Sequence, residues 1–175
     1  GQDNETRGCA STIAGGTSNK AIGSSSVVVG GSNNCAIGNY TAVVGGALNK
    51  AVGQSSFVGT GVFSHAIGIG SFVGTNGYAH GCYSVVLGQT NKVCSKGNNS
   101  SVLGGGNNTA LSGFNVIAGG GSNVTSGDKA AILGGLGQSA SGDCSIAVGG
   151  FTNTASGNNS VLVGGNNNTA SGSAA

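Results

Sequence analysis

One phrase, close to S-x-V-x-G-G-x-x-N-x-A-x-G, returns eleven times along the chain at a spacing of fifteen residues. That period is too short for a helical repeat and too long for one arm of a hairpin. It suits one turn of a β-solenoid. With each coil numbered from one to fifteen, coils begin at Ala10, Ser25, Tyr40, Ser55, Gly70, Tyr83, Asn99, Phe114, Lys129, Cys144 and Asn159. Positions six and seven are usually a Gly pair, as in Gly30-Gly31 and Gly134-Gly135, and position fourteen is another Gly. Position ten is mostly Asn and position twelve mostly Ala. The register slips only between Gly70 and Gly113, where one coil is short by two residues and the next is long by one.

Glycine supplies positive φ at corners and lets backbones approach closely. Two Gly sites per coil therefore predict two corners, with a short strand on each side. The expected fold is all-β: a parallel β-solenoid, or β-roll, of about eleven coils with two short strands each, forming a single repeat domain over residues 1–175. No coil can bury its apolar face alone, so the stack is the folding unit. The absence of Pro agrees with strands that donate to neighbours on both sides. Residues 1–9 read as the end of a preceding coil, and both termini look cut from a longer array. Eleven coils at about 4.8 Å each give a rod of about 50 Å.

Strand alternation assigns the faces. Position two is a Ser/Thr ladder (Ser26, Thr41, Ser56) and position four is aliphatic (Val28, Val43, Val58). With the Asn and Ala ladders opposite, these are expected to fill a thin lumen. Stacked Asn and Ser are expected to hydrogen-bond to their own copies along the stack. Positions three and five then face outward, yet they are apolar: Val27, Val29, Val44, Phe57, Phe72, Leu87, Leu103, Leu133, Val148 and Val163. A sheet apolar on both faces is normally covered on both faces, and a stripe of this length exceeds what a soluble monomer exposes. These ten residues are therefore the expected interface of a homo-oligomer. The other outward face, positions eleven and thirteen, carries Lys20, Lys50 and His65 in its first half and Thr/Ser such as Thr154 and Ser156 later.

Only 6% of residues are charged and 38 are Gly, a composition typical of disorder. A Val and an Ala held in phase over eleven periods argue against it. A net charge of +2 with a single Arg, Arg7, gives no nucleic-acid footprint. No run is apolar enough to span a membrane. Five Cys (Cys9, Cys35, Cys82, Cys94, Cys144) leave at least one unpaired, and Cys82 and Cys94 flank the irregular coil as a candidate pair. The sparse charge suits an oxidising, extracellular setting. Asn-x-Ser/Thr sequons recur, and those at Asn107 and Asn167 lie beside a corner as candidate glycosylation sites. His65 and His80 occupy adjacent coils and are weighed as a metal or pH site. Asp128 and Asp143 stand one rung apart at position fifteen. Neither pair comes with a catalytic set, so no catalytic residue, no cofactor and no metal is expected, and the chain is not expected to be an enzyme.

The stretches Ser25 to Gly38 (S-S-V-V-V-G-G-S-N-N-C-A-I-G) and Ser160 to Gly172 (S-V-L-V-G-G-N-N-N-T-A-S-G) resemble the head repeat of YadA-like trimeric autotransporter adhesins. The likeness covers nearly the whole chain; similar repeats suit phage and giant-virus fibres. It implies a left-handed roll, a homotrimer and a place on a cell or virion surface, touching host matrix, other cells or glycans. The extra Gly at position seven, Asn at position ten and the Cys depart from that pattern. A fibre or adhesin head giving rigid, multivalent attachment is the leading expectation. A filament polymerising through uncapped coil ends and an ice-binding solenoid are the alternatives.

Overall fold

The computed structural model describes residues 1–174 and is built of two-residue strands without a helix. The strands form two parallel sheets, as the repeat predicts. One has twelve strands, running from Glu5–Thr6 to Thr169–Ala170 and containing position twelve of every coil. The other has eleven, from Thr12–Ile13 to Val161–Leu162, and contains position four. Register between coils is in phase: Val27 pairs with Ala42 and Ala42 with Phe57. It stays in phase through the irregular coils, where His65 pairs with Tyr78 and Tyr78 with Lys92. The lost and gained residues fall in the turns. Only Gly74 to Gly77 separate the two strands of the short coil, and the extra residues of the next follow Val93.

The lumen holds what the alternation predicted. Val28, Val43, Val58, Ile117 and Ile132 are fully buried and face the Ala ladder of Ala36, Ala51, Ala66 and Ala140. Asn34, Asn49, Asn108 and Asn123, with Ser26, Ser84 and Ser100, share that interior. The Asn side chains do bond to their copies along the stack, through Oδ1 and the next Asn N–H, and their Nδ2 groups turn to backbone carbonyls. Asn34 donates from Nδ2 to the Gly30 and Gly46 carbonyls, both at 2.9 Å, while its Oδ1 accepts the Asn49 N–H at 3.0 Å. Asn19, Asn49, Asn108 and Asn123 repeat the pattern. The Gly-Gly corner leaves two carbonyls turned inward, and a buried carbonyl must find a donor. A carboxamide satisfies both and has an acceptor left for the next coil. The hydroxyl ladder is bonded only in part: Thr41 and Ser84 donate to the Gly38 and Gly81 carbonyls, whereas the buried hydroxyls of Ser26, Ser56, Ser71, Ser145 and Ser160 have no partner among the described residues.

The Asn ladder is interrupted twice: at Gln138, whose N–H reaches Asn123 but whose buried Oε1 has no partner among the described residues, and more widely in mid-rod. Ser64 replaces Asn in the fourth coil; its N–H reaches Asn49 Oδ1 at 2.8 Å, but its hydroxyl reaches only its own coil, at Thr60. Gly77 then has no side chain to carry the ladder forward. The chain of amides resumes at Asn91, which donates to Gly104 and accepts from the Asn108 N–H.

The corners differ from expectation. Of the recurring glycines, position seven alone is left-handed, as at Gly31 with φ 87°. Positions one and nine are left-handed too, and they are mostly not Gly: Tyr40 has φ 58°, Phe114 57° and Leu48 59°. A left-handed L-residue costs roughly 1–2 kcal/mol. It is held because the turned peptide donates back to the preceding coil, Tyr40 N–H to Ser24 at 2.9 Å and Leu48 N–H to Ser32 at 3.0 Å. Position fourteen needs Gly for a different reason. A Cβ on Gly142 would sit 2.2 Å from the Gly157 carbonyl oxygen of the next coil, whereas one on Gly134, at position six, meets nothing within 4 Å.

A third parallel ladder of single bridges runs along one narrow edge at position eight, Gln2–Thr17–Ser32–Ala47–Val62 and then Gln89–Gly106–Gly121–Leu136–Phe151–Asn166. The repeat did not announce it. It lapses at the short coil, which has lost that position.

Candidate interaction surfaces

Any functional contact must use the outside of the rod, and the coil sets three distinct outsides. On the eleven-stranded sheet, the predicted interface residues do face outward in one continuous strip. Val29, Val44, Phe72, Leu103, Leu133 and Val163 are exposed, Val163 to 72%, and Val27, Phe57, Leu87 and Val148 are half-buried. Phe57 and Phe72 stack in parallel one rung apart, with centroids 5.0 Å apart. Along one margin runs the position-six row, Gly30, Gly45, Gly119 and Gly134, whose α-carbons meet no neighbour that a side chain would strike. Along the other stands the position-one corner, which exposes Tyr40, Tyr83 and Phe114. These aromatics were overlooked in the sequence, although Tyr or Phe in an otherwise small, polar column was the available signal.

The twelve-stranded sheet presents a different face. Its outward row reads Glu5, Lys20, Cys35, Lys50, His65, Tyr78, Lys92, then Thr109, Val124, Ser139, Thr154 and Thr169. Beside it at position thirteen lie Ile37 and Ile67, both exposed. Glu5 is 3.8 Å from Lys20 and also pairs with Arg7; these are the ion pairs among the described residues. Tyr78, not His80, faces His65 across the rung, edge-on at 5.3 Å, and His80 stands edge-on to Tyr78 at 6.2 Å. Burial, then Lys50 and His80, lower the His65 pKa; burial, then Lys92, lower that of His80. Burial raises the Cys35 thiol against the opposing pull of Lys20 and Lys50.

A pH dependence follows. Both folded His pKa values lie below the unfolded value of about 6.5, so the unfolded chain binds protons more readily. Stability then rises with pH through that window: it is full above about 6.5 and falls as pH drops below it. The urea midpoint is expected to be lower at acid pH than at neutral pH. The part of that difference due to these two groups disappears in a His65→Gln/His80→Gln variant; an unchanged difference would remove the histidines from the account.

The third outside is the narrow edge at positions eight and nine, where Leu48, Val62, Phe63, Leu136 and Phe151 are exposed.

The remaining candidates are placed plainly. Asn107 and Asn167 are both exposed at left-handed corners, while Asn123 is fully buried and committed to the ladder, which closes its sequon. All five Cys are free thiols, so Cys82 and Cys94 do not pair. Cys82 sits in the corner and Cys94 at the end of a strand one coil on, on different parts of the ring. The Asp143 carboxylate accepts the Asp128 N–H at 2.9 Å, the same corner bond that Asn39, Asn98 and Asn158 make. Asp at position fifteen thus has a structural task. Among the described residues no three His, Cys, Asp or Glu gather as metal ligands, no cavity opens, and no helix is long and apolar enough to cross a membrane.

Comparison with protein-family models finds no match, and comparison with curated proteins finds no significant relative.

Proposed function

We propose that this chain is a non-enzymatic segment of an extracellular fibre or adhesin head, a rigid rod that assembles with copies of itself and offers repeated surfaces for attachment. The observation that carries the reading is the outward apolar strip of the eleven-stranded sheet. Val29, Val44, Leu103, Leu133 and Val163 spend most of the rod's length exposed on a face with no polar alternation. Burying one such side chain stabilises by about 1.5–3 kcal/mol, so leaving the whole row in water is costly and a second copy is the natural cover. Trimerisation about this strip matches the resemblance of the repeat to adhesin heads. It leaves the twelve-stranded sheet as the outer surface, presented three times over.

Light scattering coupled to size exclusion tests this. The expected species is three times the 16.4 kDa of one chain. A Val29→Glu/Leu103→Glu/Leu133→Glu variant is expected to run as a monomer with its coil intact by circular dichroism. Open-ended polymers would replace the reading with a filament growing through coil ends. A clean monomer would overturn the assembly and favour ice binding by the regular Thr154–Thr169 row, which thermal hysteresis would then report.

A further inference from the structure

The first six coils segregate charge in a way the fold does not require. No Asp or Glu occurs between Glu5 and Asp128, whereas Lys20, Lys50, His65 and Lys92 share one outward row. Lys20 reaches Glu5 at the end of the row, but Lys50 and Lys92 have no ion-pair partner among the described residues. Burial first, and then Lys50 beside His65 and Lys92 beside His80, push the two histidine pKa values down. The row is therefore a line of positive charge with little answering charge from its own chain.

Its spacing decides the shape of a ligand. Lys20 and Lys50 are two rungs apart and Lys50 and Lys92 three, or about 10 and about 14 Å at the usual strand separation. Both exceed the screening length of about 8 Å at physiological salt. A compact anion engages one lysine; only an extended chain of anions engages all three. The strip is flat, and the described residues enclose no cavity, so recognition must come from repetition along the rod. Beside the lysines, Ile37 and Ile67 expose aliphatic surface, and Tyr78 contributes a half-buried aromatic ring. That pairing of regularly spaced cations with small apolar plates matches sugar rings, which have C–H faces and peripheral acid groups. Single-stranded nucleic acid wants a succession of aromatic platforms, and this row has one Tyr.

We propose that the Lys20–Lys50–Lys92 row is a docking strip for an extended acidic polysaccharide bearing sulphate or carboxylate groups. The inference rests on the attachment reading above and names its ligand class. Immobilised heparin and hyaluronate serve as probes, with neutral dextran and a single-stranded oligo-dT as comparators, all against the intact chain. Retention is expected on heparin or hyaluronate and not on dextran. Three neutralised contacts predict a logarithmic salt slope near −2, by the value of about 0.7 per charge for flexible polyanions. A Lys20→Gln/Lys50→Gln/Lys92→Gln variant is expected to bind at least tenfold more weakly, its Lys→Arg counterpart to retain binding, and Lys129→Gln, off the row, to match the parent. Equal loss with Lys129→Gln, no binding above dextran, or tighter binding to oligo-dT would each overturn the proposal. Mass in solution separates the two claims. A trimer that ignores both acidic polysaccharides removes the ligand and leaves the assembly, and a binding monomer removes the assembly and leaves the ligand.

Discussion

Asn34→Ala is expected to destabilise the rod by about 2 kcal/mol or more, because it leaves the Gly30 carbonyl and the Asn49 N–H unpaired and takes one of two donors from the Gly46 carbonyl, which keeps the Ser32 N–H. The Gly30 and Gly46 carbonyls lose the Nδ2 donor, and the Asn49 N–H loses its Oδ1 acceptor. Each buried group left unpaired costs about 1–3 kcal/mol, while the net gain of a single hydrogen bond is nearer 1. The penalty of orphaning therefore outweighs the value of any one bond. Asn34→Asp tests the donor specifically, since a carboxylate aimed at two carbonyls repels where the amide binds; it is expected to be at least as damaging. The same change at Asn168, which is exposed in the last coil and makes its Nδ2 contact at 3.3 Å, is expected to cost about 1 kcal/mol. Urea unfolding reads all three. A loss below 1 kcal/mol at Asn34 would mean that water replaces the amide and that the ladder is ornament.

Gly142→Ala is expected to break the stack locally, and Gly134→Ala to be harmless to the fold. The two glycines look alike in the repeat, but a Cβ at Gly142 would meet backbone at 2.2 Å and one at Gly134 meets nothing. Backbone cannot swing aside as a side chain does, so coil spacing must open and hydrogen bonds in both sheets lengthen. A loss of several kcal/mol, in the range of severe core defects, is expected from Gly142→Ala. Gly134→Ala lacks that clash and has a φ that L-residues adopt. It is expected to stabilise by about 0.4–1 kcal/mol by restricting the unfolded chain. If Gly134→Ala keeps its fold yet loses its oligomeric mass, the open position-six row lies in the interface. If both substitutions behave alike, close coil contact is not what position fourteen requires.

The contrast shows what the repeat made legible. Period and alternation were enough to place Val28 and Ala36 inside and Val29 outside, because a strand has only two faces and a slip of one residue inverts them. The phase of the irregular coils was also legible, since strands must stay in register and turns absorb the difference. Corner chemistry was not. Gly30 and Gly31 share one dipeptide, but φ separates them, and the left-handed places at Tyr40 and Leu48 are taken by residues that avoid that region. What holds them is a backbone bond to the previous coil, a long-range partner that propensity cannot see. Asn34 was read correctly as interior and as bonded along the stack, since its Oδ1 accepts the Asn49 N–H, but its Nδ2 bonds to the corner carbonyls were missed, and those carbonyls are inward only because the corner turns as it does. The Cys82–Cys94 pairing failed on the same ground, since nearness along the chain is not nearness around a ring. For the surface, the apolar and basic rows were visible as residues, and the structure adds their continuity and their separation on opposite sheets.

The hydrogen bonds that join the coils run along the rod, so a pull on its ends loads the coil junctions one after another. A series of junctions is as strong as its weakest member. Between the fourth and sixth coils the amide ladder lapses at Ser64 and Gly77, and the edge bridge lapses between Val62 and Gln89. The ladder lapses again at Gln138, whose Oε1 has no partner among the described residues, but there the edge bridge from Leu136 to Phe151 is kept. Under tension the junction that has lost both yields first, making the break a property of sequence position rather than of chance.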